Sequence, residues 1–248
     1  MKQFVAHRGY AARYPENTEI ALSAAVKAGV RFVEIDVQLN AEREAILFHD
    51  RTLERLCGRT GAIHQLSTKE TGNLKVSDRH RFGYRYAQNP IMTLKHFCAW
   101  LSQRPQITAF VELKRISLQQ FGQQAVIDAV MPLLQSLHKQ VVIISYDHDV
   151  LARIRNDGVL PIGAVFDDWK DRKQTMVQKL KPEYLFCDWE TLPRWGKVGN
   201  PWGQLAIYEC ADPDVAKRLF KQGVNLVETF AIGEMLQGKR MDGQPPWG

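Results

Sequence analysis

The stretch Ala-Gly-Val-Arg-Phe-Val-Glu at residues 28–34 is typical of a helix that ends at a glycine and continues, after a turn, as a strand. Gln-Gly-Val-Asn-Leu-Val-Glu at residues 222–228 repeats this form near the other end of the chain. In both stretches the glycine lies where a helix C-terminus takes up a left-handed backbone conformation. Strand–helix–strand units of this kind predict a parallel sheet with right-handed crossover connections.

Short apolar segments alternate with amphipathic segments along the whole chain. The candidate strands are residues 4–6, 32–37, 45–48, 107–113, 141–145, 162–166, 184–187, 205–208 and 226–229. The segments at residues 18–28, 119–138 and 213–222 repeat apolar residues at helical spacing. Eight or nine such units in about 250 residues predict an α/β protein with a closed (β/α)₈ TIM barrel. A doubly wound open sheet is the alternative, but no glycine-rich dinucleotide fingerprint follows the first strand.

Two places interrupt the alternation. Val37 and Ile46 are separated by eight residues, too few for a helical crossover, so we expect an antiparallel hairpin there. Residues 51–90 have weak periodicity and contain four glycines. We expect them to form a small insertion after the third strand, over one end of the barrel. The chain is therefore predicted to be a single barrel domain over residues 1–248, with a loose C-terminal tail at residues 239–248.

Composition excludes several classes of protein. The 248 residues carry 33 Lys+Arg and 27 Asp+Glu, a net charge of +6, and 45% are hydrophobic, which argues against a disordered chain. This charge is mild and permits an anionic ligand without requiring nucleic acid. No apolar stretch of about 18 residues predicts a membrane span, and the N-terminus shows no secretory signal pattern. The four cysteines form no C-x-x-C pair, which favours reduced thiols in a cytoplasmic protein over a zinc site.

Charged residues concentrate where the predicted strands end, which is the functional face of a barrel enzyme. Glu34 and Asp36 lie two residues apart, so their side chains share one face of a strand, and Glu112 and Lys114 repeat this arrangement. Carboxylates held close together repel each other and normally need a cation or a shared proton. Glu34, Asp36 and Glu112 would form an oxygen-rich site suited to one divalent cation, Mg²⁺ or Ca²⁺. The alternative is a set of salt bridges at the rim, for example between Glu112 and Lys114.

Two histidines also lie at predicted strand ends. His7 and His49 are candidates for a general acid and a general base because imidazole titrates near neutral pH, although a structural, hydrogen-bonded role is the alternative. Arg8 offers a fixed cationic fork suited to a phosphate. Pro-Glu-Asn-Thr at residues 15–18 precedes a helix and offers either an anion site or ordinary capping. A dication with Arg8 and Lys114 could neutralise a phosphodiester, so the set indicates phosphoryl chemistry.

Five motifs of this chain closely resemble those of the glycerophosphodiester phosphodiesterase family, in the same order and spacing. They are Val-Ala-His-Arg-Gly at 5–9, Pro-Glu-Asn-Thr at 15–18, Val-Glu-Ile-Asp-Val at 33–37, His-Asp at 49–50 with a leucine at 53, and Val-Glu-Leu-Lys at 111–114. Weaker similarity continues through residues 145–147 and 211–213 to 223–224, so it covers nearly the whole chain. The resemblance implies a compact, bacterial-type barrel with a small insertion after the His-Asp motif.

The resemblance also implies the reaction and the residues that perform it. The substrates would be small glycerophosphodiesters such as glycerophosphocholine and glycerophosphoethanolamine, hydrolysed to sn-glycerol 3-phosphate and an alcohol. The general acid and base would be His7 and His49. The residues around the phosphate would be Arg8, Lys114, Glu16 and Asn17. One divalent cation, Mg²⁺ or Ca²⁺, would be held by Glu34, Asp36 and Glu112.

The chain departs from the family pattern at three places. The hairpin turn reads Asn-Ala-Glu-Arg-Glu at residues 40–44 instead of an Asp-Gly type, so we expect a longer or irregular tip. Tyr-Glu-Cys-Ala at residues 208–211 stands where the family shows Trp-Thr-Val-Asn. The last strand ends in Glu-Thr-Phe at residues 228–230, where the family tends to have Thr-Asp. The last two departures lie on the active face and concern the pocket for the alcohol or the glycerol.

Other functions remain open at the level of the sequence. A lysophospholipase D would need an apolar groove for an acyl chain, to which Phe82, Tyr84 and Tyr86 of the insertion could contribute. A non-catalytic protein that binds phosphorylated ligands is disfavoured because all catalytic-type residues are present. A nucleic-acid module would rest on the basic, aromatic run at residues 79–86, which is more typical of a solvated loop. We therefore expect a small-molecule partner, no nucleic acid and no stable membrane insertion; the oligomeric state stays open.

Overall fold

Eight parallel strands close into a barrel, and a ninth strand lies beside one of them. The structure, a computed structural model, describes residues 3–158 and 160–241. The strands are β1 (Gln3–Ala6), β2 (Phe32–Leu39), β3 (Ala45–Leu47), β4 (Thr108–Leu113), β5 (Val141–Ser145), β6 (Ile162–Phe166), β7 (Tyr184–Asp188), β8 (Gln204–Tyr208) and β9 (Leu226–Thr229). Their order is β1-β9-β8-β7-β6-β5-β4-β2, and pairing of β1 with β2 closes the barrel. The predicted (β/α)₈ fold is confirmed.

Helices cover the outside of the barrel. They are α1 (Glu19–Ala28), α2 (Glu54–Cys57), α3 (Thr68–Gly72), α4 (Arg79–Phe82), α5 (Leu94–Ser102), α6 (Arg115–Phe121), α7 (Gln123–Leu134), α8 (His148–Asp157), α9 (Thr175–Leu180), α10 (Pro213–Gln222) and α11 (Ile232–Leu236). Gly29 and Gly223 end α1 and α10 in the left-handed conformation that the sequence predicts. The single helix expected at residues 119–138 is wrong: Gly122, with a φ of +78°, separates α6 from α7.

The hairpin after β2 is antiparallel, as predicted. The start of β2 pairs with β1, whereas its end pairs with β3, where Val37 lies opposite Leu47. Asn40 holds the tip, because its side-chain oxygen accepts hydrogen bonds from the amides of Glu42 and Glu44. The tip is therefore longer than an Asp-Gly turn. The return strand β3 carries the chain, and with it His49, back to the barrel mouth.

The segment at residues 51–90 contains α2, α3 and α4 and packs on the hairpin. Apolar side chains of the segment and of the neighbouring hairpin form a cluster separate from that of the barrel: Ile46, Phe48, Leu53, Leu56, Ile63, Leu66, Leu74, Val76 and Ile91. Arg81 attaches the segment to the loop after β1 by donating to the carbonyl oxygens of Ala11 and Ala12, at 2.6 and 3.1 Å. The segment is thus held against the loop that also carries Arg8. The expected tail at residues 239–248 lies outside the described residues from position 242 onward.

The two-residue period of the strands divides the barrel residues between two environments. On β2, Val33, Ile35 and Val37 pack towards the helices. The alternate residues of each strand point to the barrel axis. Apolar ones fill its lower part: Val5, Phe110, Val142, Ile144, Val165, Phe186, Ala206 and Leu226. The ring of Phe110 packs edge-on against Tyr184 and Phe186, with centroids 5.0 and 4.9 Å away. The inward residues two positions further along the strands therefore face the opening of the barrel at the C-terminal ends of the strands.

Gly9 is predicted to be essential for packing the loop after β1 against α1. Its φ is +82°, and an added Cβ would lie 2.7 Å from the carbonyl carbon of Ala21 and 2.8 Å from the amide nitrogen of Leu22. We expect Gly9→Ala to lower the free energy of unfolding by about 3 kcal/mol, through left-handed strain and overpacking against backbone. Urea unfolding measures the loss.

Gly29→Ala is the matched control. Gly29 also has a positive φ, +105°, but an added Cβ would meet no atom within 4 Å. Gly29→Ala should therefore lower the free energy of unfolding only by the conformational strain, about 1–2 kcal/mol. Equal losses for the two variants would contradict the backbone clash assigned to Gly9.

Candidate active site

A cavity of about 350 Å³ opens at the C-terminal ends of the strands. It is lined by six of the residues singled out in the sequence: His7, Arg8, Glu34, His49, Glu112 and Lys114. A second cavity, of about 660 Å³, shares His49, Glu112 and Lys114 with the first and extends towards α6. The barrel thus brings together residues that are far apart in sequence, because each follows or ends a strand of the same sheet.

Three carboxylates form a cluster that could hold a metal ion. Glu34, Asp36 and Glu112 each offer an oxygen, and these oxygens lie within 4.8 Å of one another. Glu34 and Asp36 are buried, and the Oε1 atom of Glu34 has no hydrogen-bond partner among the described residues. Burial, together with the charge of Asp36, raises the pKa of Glu34. A hard dication fits this set, since it would satisfy the unpartnered oxygen and compensate the repulsion.

Lys114 lies between two of these carboxylates. Its Nζ atom is 3.1 Å from Asp36 and 3.0 Å from Glu112. The salt bridge between Glu112 and Lys114 therefore coexists with the carboxylate cluster. Burial would lower the pKa of Lys114, but the charges of Asp36 and Glu112 raise it above its usual value. The ammonium group consequently remains charged at the edge of the cavity.

Arg8 is fixed by carboxylates on three sides. Its backbone is left-handed, with a φ of 55°, and its amide donates to Glu34 at 3.1 Å. Its guanidinium donates to Glu16 at 2.9 Å, and its Nε atom is 3.1 Å from Asp36. Burial would raise the pKa of Asp36, yet the charges of Lys114 and Arg8 hold it well below its usual range. Arg8 thus presents a rigid positive charge to the cavity.

Glu16 and Asn17 lie behind the cavity. Neither is among the described residues that line the two cavities, and they are 0% and 1% exposed. Their roles around the phosphate, which the resemblance implies, stay predictions. The side-chain amide of Asn17 donates to Asp36 at 2.8 Å and accepts from the amide of Asp36 at 3.1 Å. Glu16 contacts Arg8. The stretch before α1 therefore holds two site residues in place, while Thr18 caps the helix.

Arg55 of the insertion connects His49 to this network, which the sequence did not reveal. The Nδ1 atom of His49 is 2.9 Å from Asp50. Arg55 makes two hydrogen bonds to Asp50, both at 2.7 Å, and two to Glu16, both at 2.8 Å. Burial opposes ionisation of Asp50, but hydrogen bonds from His49 and Arg55 lower its pKa overall. Asp50 is thus an ionised partner for His49.

His7 has a carboxylate partner of its own. Its Nδ1 atom contacts the carboxyl group of Glu209, which follows β8. Its Nε2 atom is 3.8 Å from Glu34. Burial, together with the charge of Arg8, lowers the pKa of His7. Burial also raises the pKa of Glu209 to about 8.

Glu209 and Glu228 line the cavity but were identified in the sequence only as departures from the family pattern. Glu228 ends β9, is 3% exposed, and its Oε1 atom has no hydrogen-bond partner in the described part of the chain. Burial and the charge of Glu209 raise its pKa. The signal in the sequence was an acidic residue at or just after the end of each of the last two strands, which is the functional face of a barrel enzyme.

One side of the cavity is aromatic. The hydroxyl groups of Tyr146 and Tyr208 are 2.8 Å apart, and that of Tyr208 donates to the carbonyl oxygen of Phe166 at 3.0 Å. Arg115 stacks on Tyr146, 4.7 Å from the ring centre. The cavity therefore combines a side that carries Arg8 and Lys114, able to hold an anion, with an aromatic side at whose edge Arg115 lies.

The fold and site define a class of protein: a parallel (β/α)₈ barrel whose mouth carries a carboxylate cluster, two buried or half-buried cations and two histidines. The chain belongs to the glycerophosphoryl diester phosphodiesterase family, whose model matches residues 7–227. Within the described residues, no helix combines the length and the apolar character needed to cross a membrane.

Individual relatives support this assignment. A glycerophosphodiester phosphodiesterase of Bacillus altitudinis is 29% identical over 153 residues, which are 61% of this chain and 61% of that protein. Glycerophosphodiester phosphodiesterase 1 of Bos taurus is 26% identical over 235 residues, which cover 90% of this chain and 70% of the bovine protein. The chain spans about three fifths of the length of the Bacillus relatives it matches.

A solved structure shows the same fold. It is an Oleispira antarctica phosphodiesterase in complex with the product sn-glycerol-3-phosphate. The two chains superpose with a TM-score of 0.82 over 96% of each, at 22% sequence identity.

Arg55 is predicted to stabilise the site as well as the insertion. Arg55→Met would leave the buried Glu16 and the half-buried Asp50 without a shared cation, so we expect the free energy of unfolding to fall by about 3 kcal/mol at neutral pH. The pKa values of Glu16 and Asp50 are lowered in the folded state, so the stability they supply is complete above their unfolded pKa values. This stability is lost as the pH falls below about 4. The difference in the free energy of unfolding between the variant and the parent protein should therefore become smaller below that pH.

Lys217→Met is the control for this measurement. Lys217 pairs with Asp214 at 3.0 Å, but the two side chains are 68% and 78% exposed. Such a pair contributes at most about 1 kcal/mol. If urea unfolding showed equal losses for the two variants, the buried network would not be the stabilising element.

Proposed function

We propose that this protein hydrolyses glycerophosphodiesters to sn-glycerol 3-phosphate and an alcohol. The observation that carries the proposal is a single cavity that is lined by His7 and His49 and lies beside the carboxylate cluster of Glu34, Asp36 and Glu112. The names of the relatives and the product bound to the Oleispira antarctica protein support the same reaction.

Glu34, Asp36 and Glu112 would hold one divalent cation, Mg²⁺ or Ca²⁺. Their all-oxygen donor set and the unpartnered Oε1 of Glu34 support this assignment. When bound, such an ion neutralises charge on a phosphoryl group and polarises its oxygens. Lys114 already neutralises Asp36 and Glu112 in part, so the ion and the lysine would share these carboxylates.

Arg8 and Lys114 would hold the phosphodiester anion. Both line the cavity, and Arg8 is held rigidly by Glu16 and Asp36. A guanidinium fork matches the oxygens of a phosphate in two hydrogen bonds. Glu16 and Asn17 would therefore act on the substrate through Arg8 and Asp36.

The two histidines would move the protons of the reaction. One imidazole takes the proton of the attacking hydroxyl as its oxygen bonds to phosphorus, and the other donates a proton to the alcohol oxygen as its bond to phosphorus breaks. Attack by water gives sn-glycerol 3-phosphate directly. Attack by the glycerol hydroxyl gives a cyclic phosphate and the alcohol, and a second attack by water, with the same proton transfers, then opens the ring to sn-glycerol 3-phosphate. The hydrogen bonds of His7 to Glu209 and of His49 to Asp50 support these roles, since each ring is held by a carboxyl group.

The insertion does not favour a lysophospholipase D. None of Phe82, Tyr84 and Tyr86 is among the described residues that line the cavities at the barrel mouth. Arg79 stacks on Tyr84 and Arg81 on Phe82, within the insertion, while the hydroxyl of Tyr86 donates to the carbonyl oxygen of Arg13. The partner would therefore be a small glycerophosphodiester.

A cytoplasmic location is also proposed. All four cysteines are free thiols, and burial raises the pKa values of the Cys187 and Cys210 thiols, which makes them poorly reactive. Subcellular fractionation of the native host would test this location.

Metal dependence and substrate choice are tested together. Glycerol 3-phosphate release from glycerophosphocholine and glycerophosphoethanolamine should stop when EDTA removes the ion and return when Mg²⁺ or Ca²⁺ is added. Lysophosphatidylcholine, with the same head group and an added acyl chain, should be hydrolysed much more slowly. Full activity in EDTA would contradict the metal assignment, and faster hydrolysis of lysophosphatidylcholine would favour the lysophospholipase D.

The histidine pair is tested by substitution. His7→Ala and His49→Ala should each lower kcat at least about 10²-fold, the usual contribution of a general acid or base. His96→Ala is the control, because His96 is half exposed outside the barrel mouth and pairs with Glu19. It should leave the rate unchanged. Near-normal turnover by either site variant would remove that histidine from the mechanism.

A further inference from the structure

We propose that Glu209 is a positioning residue that fixes the imidazole of His7, so that Nε2 is the atom that exchanges a proton with the substrate. This role deepens the proposed diester hydrolysis and rests on it. Position 209 belongs to the Tyr-Glu-Cys-Ala stretch in which this chain departs from the family pattern, so the role is inferred from this structure alone.

The geometry shows that both partners are held. One carboxyl oxygen of Glu209 contacts Nδ1 of His7, and the other accepts a hydrogen bond from the amide of Phe230 at 2.8 Å. The backbone carbonyl of Glu209 accepts from the indole of Trp189 at 3.0 Å. On the other side, the amide of His7 donates to the carbonyl of Thr229 at 3.1 Å. The contact therefore joins residues that are anchored at the ends of β1, β8 and β9.

The chemistry follows from the difference between the two ring nitrogens. A carboxylate accepts a hydrogen bond from the Nδ1–H group, so the proton stays on Nδ1 and the lone pair lies on Nε2, the nitrogen on the side of Glu34. Burial raises the pKa of Glu209 to about 8, so this carboxyl is ionised above that pH. An imidazolium that forms when Nε2 takes up a proton then stands beside a negative charge. The proton then leaves from the same atom, and Glu209 itself gains none, as in other carboxylate–histidine pairs.

The second histidine supports this interpretation. His49 also bonds through Nδ1 to a carboxylate, that of Asp50, at 2.9 Å. Asp50 follows His49 directly in sequence, whereas Glu209 is 202 positions away from His7. Two unrelated parts of the chain thus supply the same arrangement, in which each imidazole is held at Nδ1.

The tautomer of His7 is the first test, and it requires no activity. A ¹⁵N NMR spectrum of the Mg²⁺-loaded protein at about pH 9, where a single ring proton remains, should show the proton of His7 on Nδ1. His7→Gln identifies the signal. In Glu209→Gln the population of this tautomer should fall, because an amide can also donate to Nδ1. A proton found on Nε2 in the parent protein would overturn the proposal.

A double-mutant cycle is the second test. At about pH 9, where Glu209 is ionised, Glu209→Gln should lower kcat at least about 10²-fold, because the ring loses its tautomer and its counter-charge. In the His7→Ala background the same substitution should change kcat less than about twofold, since a positioning residue has nothing left to position. An undiminished effect in that background, or normal kcat in the single variant, would overturn the proposal.

Glu190→Gln is the control, because Glu190 is an exposed carboxylate near the same end of the barrel. It should alter neither kcat nor the His7 spectrum, and thermal unfolding should show that all variants are folded. The two proposals fail differently. A parent protein that hydrolyses no glycerophosphodiester would count against the proposed function, while the NMR result would still decide whether Glu209 holds His7.

Discussion

The buried carboxylate of Asp36 is the constraint on which the rest of the site depends. It is fully buried, and an isolated charge there would be very costly, so the surroundings must supply compensation. Arg8, Lys114 and Asn17 do so at 3.1, 3.1 and 2.8 Å. These contacts determine the positions of the loop after β1, the end of β4 and the turn before α1. The cationic side of the cavity is thus a consequence of stabilising one buried carboxylate.

The same logic extends to the insertion. Glu16 compensates Arg8 from behind and is itself compensated by Arg55, which also holds Asp50 beside His49. A continuous alternation of charges therefore runs from the centre of the barrel to α2. Buried pairs of this kind add little net stability when complete, but losing one member is costly, so they favour a single arrangement. The insertion in this way contributes to the placement of a proposed catalytic group without lining the inner cavity with its own aromatic residues.

Much of the fold and the metal-binding cluster could be predicted from local pattern. The two-residue period places Glu34 and Asp36 on the inward face of β2 and Glu112 on that of β4, and a barrel brings those faces together. Other features could not be predicted. Gly122 divides a continuous helical pattern, because its backbone conformation depends on the packing of α6 and α7. Arg55 is one of several arginines in the insertion, and no spacing rule distinguishes the one that reaches Glu16.

By itself the sequence determined the strand order and the layer of charged residues at the strand ends, since these follow from local periodicity. The short connection between Val37 and Ile46 determined the hairpin. Tertiary structure alone decided which groups touch. It placed Glu16 and Asn17 behind the cavity, joined His7 to Glu209 across 202 positions, and left Oε1 of Glu34 and of Glu228 without hydrogen-bond partners among the described residues. The physical reason is that hydrogen bonds and ion pairs act over a few ångströms in space, and only closure of the barrel brings the ends of β1, β2, β8 and β9 within that range.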